Sequence, residues 1–304
     1  MVLVMIRSRL RNELQDLLEL VLFPALCVVL PWPLCFKAFR WMSRRFEFLY
    51  RSAVDAAYKQ TALVNSIHVE PTWKADRRLV TLVDHADLYL SHTRGQRWFS
   101  KYVDVVGNWP DANKKALVLT FHWGAGMWAL HFANAQGVTA PMLVNAAHKS
   151  QFEGRGVCYC YVKVRIRRIG QLLSQPTLDA ITDARGVVKA LRQDKNVLAV
   201  IDVPADGLKG AQPVTLLGMQ AVVPKALLRH AVEQGIPVTV FLTGINMQNG
   251  RRTLAVHLLG LHTDIEVLTQ VVFDHLNAAI QQHSPSWHLW SECPRFFPAQ
   301  VQTS

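Results

Sequence analysis

The stretch "FHWGAGMW" (residues 121–128) follows directly on the apolar run "ALVLT". A histidine at the end of a buried strand, followed by small residues that turn into a helix, suits general base chemistry, because imidazole titrates near neutrality and can take a proton from a hydroxyl. Such a base works best when a carboxylate holds its second ring nitrogen in one tautomer. An acid five positions after the histidine would do this, but that position holds Met127. A thioether cannot accept a useful hydrogen bond from an imidazolium. Either another group orients His122, or the base works unaided, or the chain has lost catalysis. Asp202, which ends the run "NVLAVID", is the best substitute; Asp206, in "DVPADG", is the second choice.

The surrounding elements support that choice. "ALVLTF" reads as a strand, "GMWALHFANAQG" as a helix ending at Gly137, and "VTAPMLVN" as a second strand. "LDAITDARGVVKALRQDK" reads as a helix, "NVLAVID" as a strand, "VPKALLRHAVEQG" as a helix closed by Gly235, and "IPVTVFLTGIN" as a buried strand. This alternation predicts an α/β fold with a mainly parallel central sheet flanked by helices. In such a sheet ligands collect outside the carboxyl ends of the strands, which sets His122 and Asp202 on one edge. Residues 46–105, with the helical spacing of "RRLVTLVDHADLYLSHT", form a lead-in that belongs to one domain spanning 46–304. His131 and His148 invite the same reading as His122, but His131 falls on the opposite side of its helix from residue 122 and reads as structural; no HExxH or comparable spacing suggests zinc.

The N-terminal 45 residues have a different character. "LVLFPALCVVLPWPLCF", from Leu20 to Phe36, carries no charge, and the basic, aromatic "KAFRWMSRRFEFLYR" follows it. The pattern predicts a retained hydrophobic membrane anchor, either a clean span or, since Pro24, Pro31 and Pro33 interrupt it, a bent or interfacial insertion, with the main domain on the cytoplasmic side; a helix packed on the soluble domain is the alternative. The net charge of +11 calls for an acidic partner. A membrane surface or an acidic carrier protein fits, whereas no nucleic-acid recognition motif is present. Cys158 and Cys160, placed in an extended segment, read as reduced structural residues rather than a disulfide.

Two further stretches bear on binding. In "YVKVRIRRIG", Lys163 and Arg165 alternate with valines and isoleucine, which predicts a strand with one cationic face, and Arg168 breaks the alternation. That face would be a basic wall for a phosphate, or an ordinary solvated surface. The tail "HSPSWHLWSECPRFF" reads as core packing, with an acyl groove or an interfacial belt as alternatives.

Taken in order, these blocks resemble the bacterial lipid A biosynthesis acyltransferases, the lauroyl and myristoyl transferases within the lysophospholipid acyltransferase group. The resemblance rests on "HWGAGMWAL", "VNSIHVEPTWKADRR", the strand ending in "ID" at 201–202, "DGLKGAQPVTLLGMQAVVPKALLRHA" and "SWHLWSECPRFF", and covers almost the whole chain. It implies a membrane-bound enzyme that moves an acyl chain from acyl carrier protein or coenzyme A to a hydroxyl of a lipid acceptor. No bound cofactor is implied. His122 would be the base and Trp123, Gly124 and Arg168 substrate-binding residues, beside Lys163 and Arg165 of the basic face, which are the further substrate-binding candidates. Met127 stands where the family has its acid, which turns the expectation toward a specialised lipid or pigment pathway at the inner membrane. A non-catalytic acyl-lipid scaffold is the rival reading.

Overall fold

The apolar run before His122 forms the middle of a twisted sheet in the computed structural model, which describes residues 2–297 apart from 63, 65, 181, 193–194 and 207–209. The strands are β1 (Val103–Val106), β2 (Leu117–Thr120), β3 (Leu143–Val144), β4 (Leu178–Asp179), β5 (Val197–Val200), β6 (Ala211–Leu216), β7 (Met219–Pro224), β8 (Val238–Ile245) and β9 (Arg252–Gly260). The main sheet has the order β1-β9-β8-β2-β5, and β3 with β4 continues it through a parallel bridge between Met142 and Leu198. Only the β8–β9 pairing within it is antiparallel. The expected α/β architecture, with a mostly parallel sheet between helices, is therefore present. β2, β5 and β8 read as continuous apolar runs because they are buried on both faces, as parallel strands under helices are.

Helices α1 (Val2–Asp16), α2 (Phe23–Val29), α3 (Trp32–Arg45), α4 (Arg51–Thr61), α5 (Trp73–Thr93) and α6 (Gln96–Tyr102) precede the sheet. Helices α7 (Met127–Ala135), α8 (Gly156–Leu172), α9 (Ala184–Arg192), α10 (Ala226–Glu233) and α11 (Ile265–His283) are interleaved with it or follow it. Several boundaries differ from the sequence reading. "VTAPMLVN" pairs only at Leu143 and Val144, and the stretch read as one helix from residue 178 opens with β4 before α9. The β6–β7 hairpin, β1 and β9 are additional. The hairpin turns on Leu217 and Gly218, both at positive φ, as a tight two-residue connection requires. The glycine-containing loop at Gly207 lies outside the described residues.

The structure gives the expected membrane anchor no support as a spanning segment. Among the described residues no helix is long and apolar enough to cross a membrane. Pro31 and Pro33 end one helix and start the next, so the uncharged run divides into α2 and α3. One face of each is core: Cys27, Trp32, Cys35, Phe36 and Phe39 are buried in the cluster that extends to Phe297. The Trp32 indole donates to Gly250 O at 3.1 Å, and the Tyr89 hydroxyl donates to Leu20 O at 2.6 Å.

"YVKVRIRRIG" is corrected: it is helix, inside α8, and not a strand. The period-two pattern is short and the segment that contains it has no proline, so contacts with the rest of the fold override its β-branched residues. Its first turn is held from α1, where the Glu13 carboxylate accepts from the Gly156 and Val157 backbone N–H groups at 2.6 and 2.9 Å. The same helix carries Cys158 and Cys160, both free thiols.

The deepest polar contact joins α5 to β9. Arg252 is buried between the rings of Trp32 and Trp128, 4.9 and 4.1 Å from their centroids, and pairs with buried Asp87 at 2.6 Å. Asp87→Ala would leave the guanidinium charged and unpaired in an apolar slot. The expected cost is about 3–5 kcal/mol, read as a lower urea midpoint with the slope unchanged.

Candidate active site

The register of the sheet brings the two sequence-selected residues together. Thr120 on β2 lies opposite Val200 on β5, so His122 and Asp202, each two residues further on, emerge side by side at the carboxyl edge. The Ile201 N–H donates to Thr120 O at 3.0 Å and carries the pairing one step past the strands. Asp202 Oδ1 then accepts from the His122 backbone N–H at 2.8 Å and lies 3.1 Å from the His122 ring Nδ1. An ionised carboxylate has no proton to donate, so this contact assigns the ring proton to Nδ1 and leaves the Nε2 lone pair free.

Asp202 is fully buried, while 39% of the His122 side-chain surface remains accessible. The His122 ring is thus partly open to solvent, while the carboxylate that holds it is closed off. Burial disfavours the His122 cation, but the adjacent Asp202 charge and its hydrogen bonds outweigh that effect and raise the pKa above the ordinary histidine value.

A strap from the C-terminal end completes the site. The Trp287 indole N–H donates to Asp202 Oδ2 at 2.8 Å, so both carboxylate oxygens are occupied. The Ser286 carbonyl accepts from Gly124 N at 2.9 Å, and His288 N donates to His122 O at 2.8 Å. His288 Nε2 also bonds Gly124 O at 2.7 Å, which it can do as a neutral donor, since burial and nearby Arg77 hold its pKa down to about 3. Arg77 on α5 grips the strap from behind through Pro285 O and His288 O. Gly124 has φ +59°, and a Cβ there would stand 2.5 Å from Thr243 O, so only glycine lets the loop pass β8 this closely.

The other residues selected from the sequence have these places. Trp123 is buried and pairs through its backbone with Trp287. Met127 begins α7 and is buried. Arg165 is committed to Asp84 at 2.8 Å and to the Tyr161 hydroxyl, and Arg168 to Ser91 and Gln171, so both tie α8 to its surroundings. Burial pushes the Asp84 carboxyl up, but Arg165 overcomes this and holds it below the usual range. Lys163 is exposed, lies over the Tyr159 ring, and lines a shallow cavity of about 310 Å³ with Arg167 and Asp183. Asp206 pairs with Arg295 at 2.6 Å and is not the partner of His122. His131 lies against Phe99 with the ring centroids 4.4 Å apart, and burial lowers its pKa to about 4.

Sequence reasoning missed Ser286, Trp287 and His288 as parts of the site. The only signal was the dense "SWHLW" motif, and nothing local connects it to residue 122. Among the described residues no three His, Cys, Asp or Glu side chains gather as a metal site. Compared with known families and with curated proteins, the chain matches no family model and no characterised protein.

The raised His122 pKa has a definite sign. Its stabilisation is complete below the unfolded-state value of ~6.5 and is lost as pH rises through the higher folded value. Asp202→Asn should move the His122 ring titration downward in an NMR experiment. The stability gap between the two proteins should be widest on the acid side of neutrality and narrow toward alkaline pH.

Proposed function

We propose that the chain is an acyltransferase in which His122 is the general base and Asp202 its orienting carboxylate. The observation that supports this most directly is the fully buried Asp202 holding Nδ1 of a histidine that stays open to solvent. In the reaction, Nε2 takes the proton of an acceptor hydroxyl as its oxygen attacks the carbonyl carbon of an acyl thioester. The tetrahedral intermediate collapses, the carbon–sulfur bond breaks, and the His122 imidazolium returns the proton to the departing thiolate. Asp202 balances the imidazolium charge while it lasts.

The donor is an acyl carrier protein or coenzyme A, both acidic, in keeping with the net charge of +11. The acceptor is the hydroxyl of a lipid or glycolipid, in a specialised lipid or pigment pathway, at the cytoplasmic face of the inner membrane. The contact of Asp202 with the His122 ring supports retained catalysis in spite of Met127.

His122→Ala and Asp202→Asn should each lower turnover by about 10²–10⁴-fold. The assay is thiol release from an acyl thioester, with mass spectrometry of the lipid product from matched cells. An acylated lipid that survives both substitutions but vanishes on gene deletion would favour the scaffold reading. Met127→Leu should leave turnover near wild type. Met127→Glu buries a carboxylate in an apolar site and should lower the melting temperature rather than raise the rate.

A further inference from the structure

The outer face of α3 has a composition that core packing does not explain. Its inner face is buried through Trp32, Cys35, Phe36, Phe39 and Met42. At helical spacing on the opposite side, Leu34, Lys37, Trp41, Arg44 and Arg45 form one stripe, and all are exposed. Leu34 is 56% and Trp41 58% exposed, and Phe48, just beyond the helix, is 43% exposed. The Trp41 and Phe48 rings are joined through Phe46, at centroid distances of 5.2 and 5.5 Å, so the aromatics form one raised cluster. Helix α3 contains no acid, and Glu47 is the only carboxylate beside the stripe in sequence. Among the described residues no salt bridge engages Lys37, Arg44 or Arg45.

The helix also lies where docking would be useful. Trp32 and Arg40 bond the carbonyls of Gly250 and Gln248, in the turn that follows the carboxyl end of β8. Since β8 runs parallel to β2, α3 covers the edge of the sheet at which His122 and Asp202 stand.

We infer that this stripe is a peripheral docking surface for an anionic phospholipid bilayer, on which α3 lies in the plane of the headgroups. Tryptophan and phenylalanine settle at the headgroup level, and unpaired arginines beside them meet lipid phosphate. An acidic protein would satisfy the cations but would leave Leu34, Trp41 and Phe48 without an apolar phase, so the bilayer is the occupant that accounts for both. The inference rests on the acyltransferase reading only for its purpose, which is to bring a lipid acceptor to the His122 edge.

Flotation of the purified full chain with phosphatidylcholine vesicles, with and without phosphatidylglycerol, tests this without any turnover. The wild type should bind the anionic vesicles and release them at high salt. Arg44→Ala with Arg45→Ala should weaken binding about thirtyfold, at about tenfold per 1.4 kcal/mol and ~1 kcal/mol per cation. Trp41→Ala with Phe48→Ala should weaken it on the same vesicles. Lys195→Ala with Arg229→Ala removes equal charge elsewhere and should leave binding within about twofold, while His122→Ala should bind as the wild type does. Circular-dichroism melts confirm that each variant is folded. Equal binding to neutral vesicles, or unchanged binding by both α3 variants, would overturn the inference. So would an arginine variant that keeps vesicle binding but loses capture by acyl carrier protein. Retained vesicle binding in a protein with no transferase activity would refute the proposed function and leave the docking surface standing.

Discussion

The Asp202 carboxylate is the contact on which the site depends. It is wholly buried and accepts hydrogen bonds from the His122 backbone, the His122 ring and the Trp287 indole. A buried anion without donors would be far too costly, so these partners are obligatory, and they come from two different constraints. The first two require β2 and β5 to hold their register to the carboxyl edge. The third requires a strap from beyond α11 to return across the sheet. One side chain therefore couples sheet pairing, loop conformation and C-terminal packing, and it does so next to the only accessible part of the dyad.

Behind that contact, α5 acts as a polar spine through an otherwise apolar core. Arg77 holds the strap, Asp84 holds Arg165 of α8, His85 bonds the Tyr161 hydroxyl at 2.7 Å, and Asp87 holds Arg252 of β9. Each of these groups would destabilise the fold if left alone, and each is matched from a separate element. The matching specifies how α8, β9 and the strap dock on one helix. It also explains why the cations of α8 that drew attention in the sequence are not free: Arg165 and Arg168 are used for assembly.

The N-terminal region shows how one composition can serve two environments. The uncharged run from residue 20 to 36 is apolar enough to suggest an anchor, yet its prolines divide it into α2 and α3, and one face of each helix is spent on the core. The other face of α3 keeps aromatic and cationic residues at the surface. An amphipathic helix of this kind suits an interface better than a bilayer interior, because its charged face has no place among acyl chains.

How much was legible depended on whether the signal was local. Buried parallel strands announce themselves as short apolar runs, so β2, β5 and β8 with the helices α7, α9 and α10 were readable, and the strand-end rule placed His122 and Asp202 on one edge. Met127 made clear that any orienting acid had to come from elsewhere in the chain. Periodicity misled where several signals overlapped: "YVKVRIRRIG" alternates like a strand, but the length of its segment and its cap from Glu13 make it helix. The sequence by itself determined the fold class and selected His122 and Asp202, which the structure brings into contact. Tertiary structure alone decided which arginines were already paired, that Trp287 closes the dyad, and that the apolar run turns inward. Those outcomes depend on contacts between residues far apart in the chain, set by register and by the cost of burying unpaired charge, which no local pattern records.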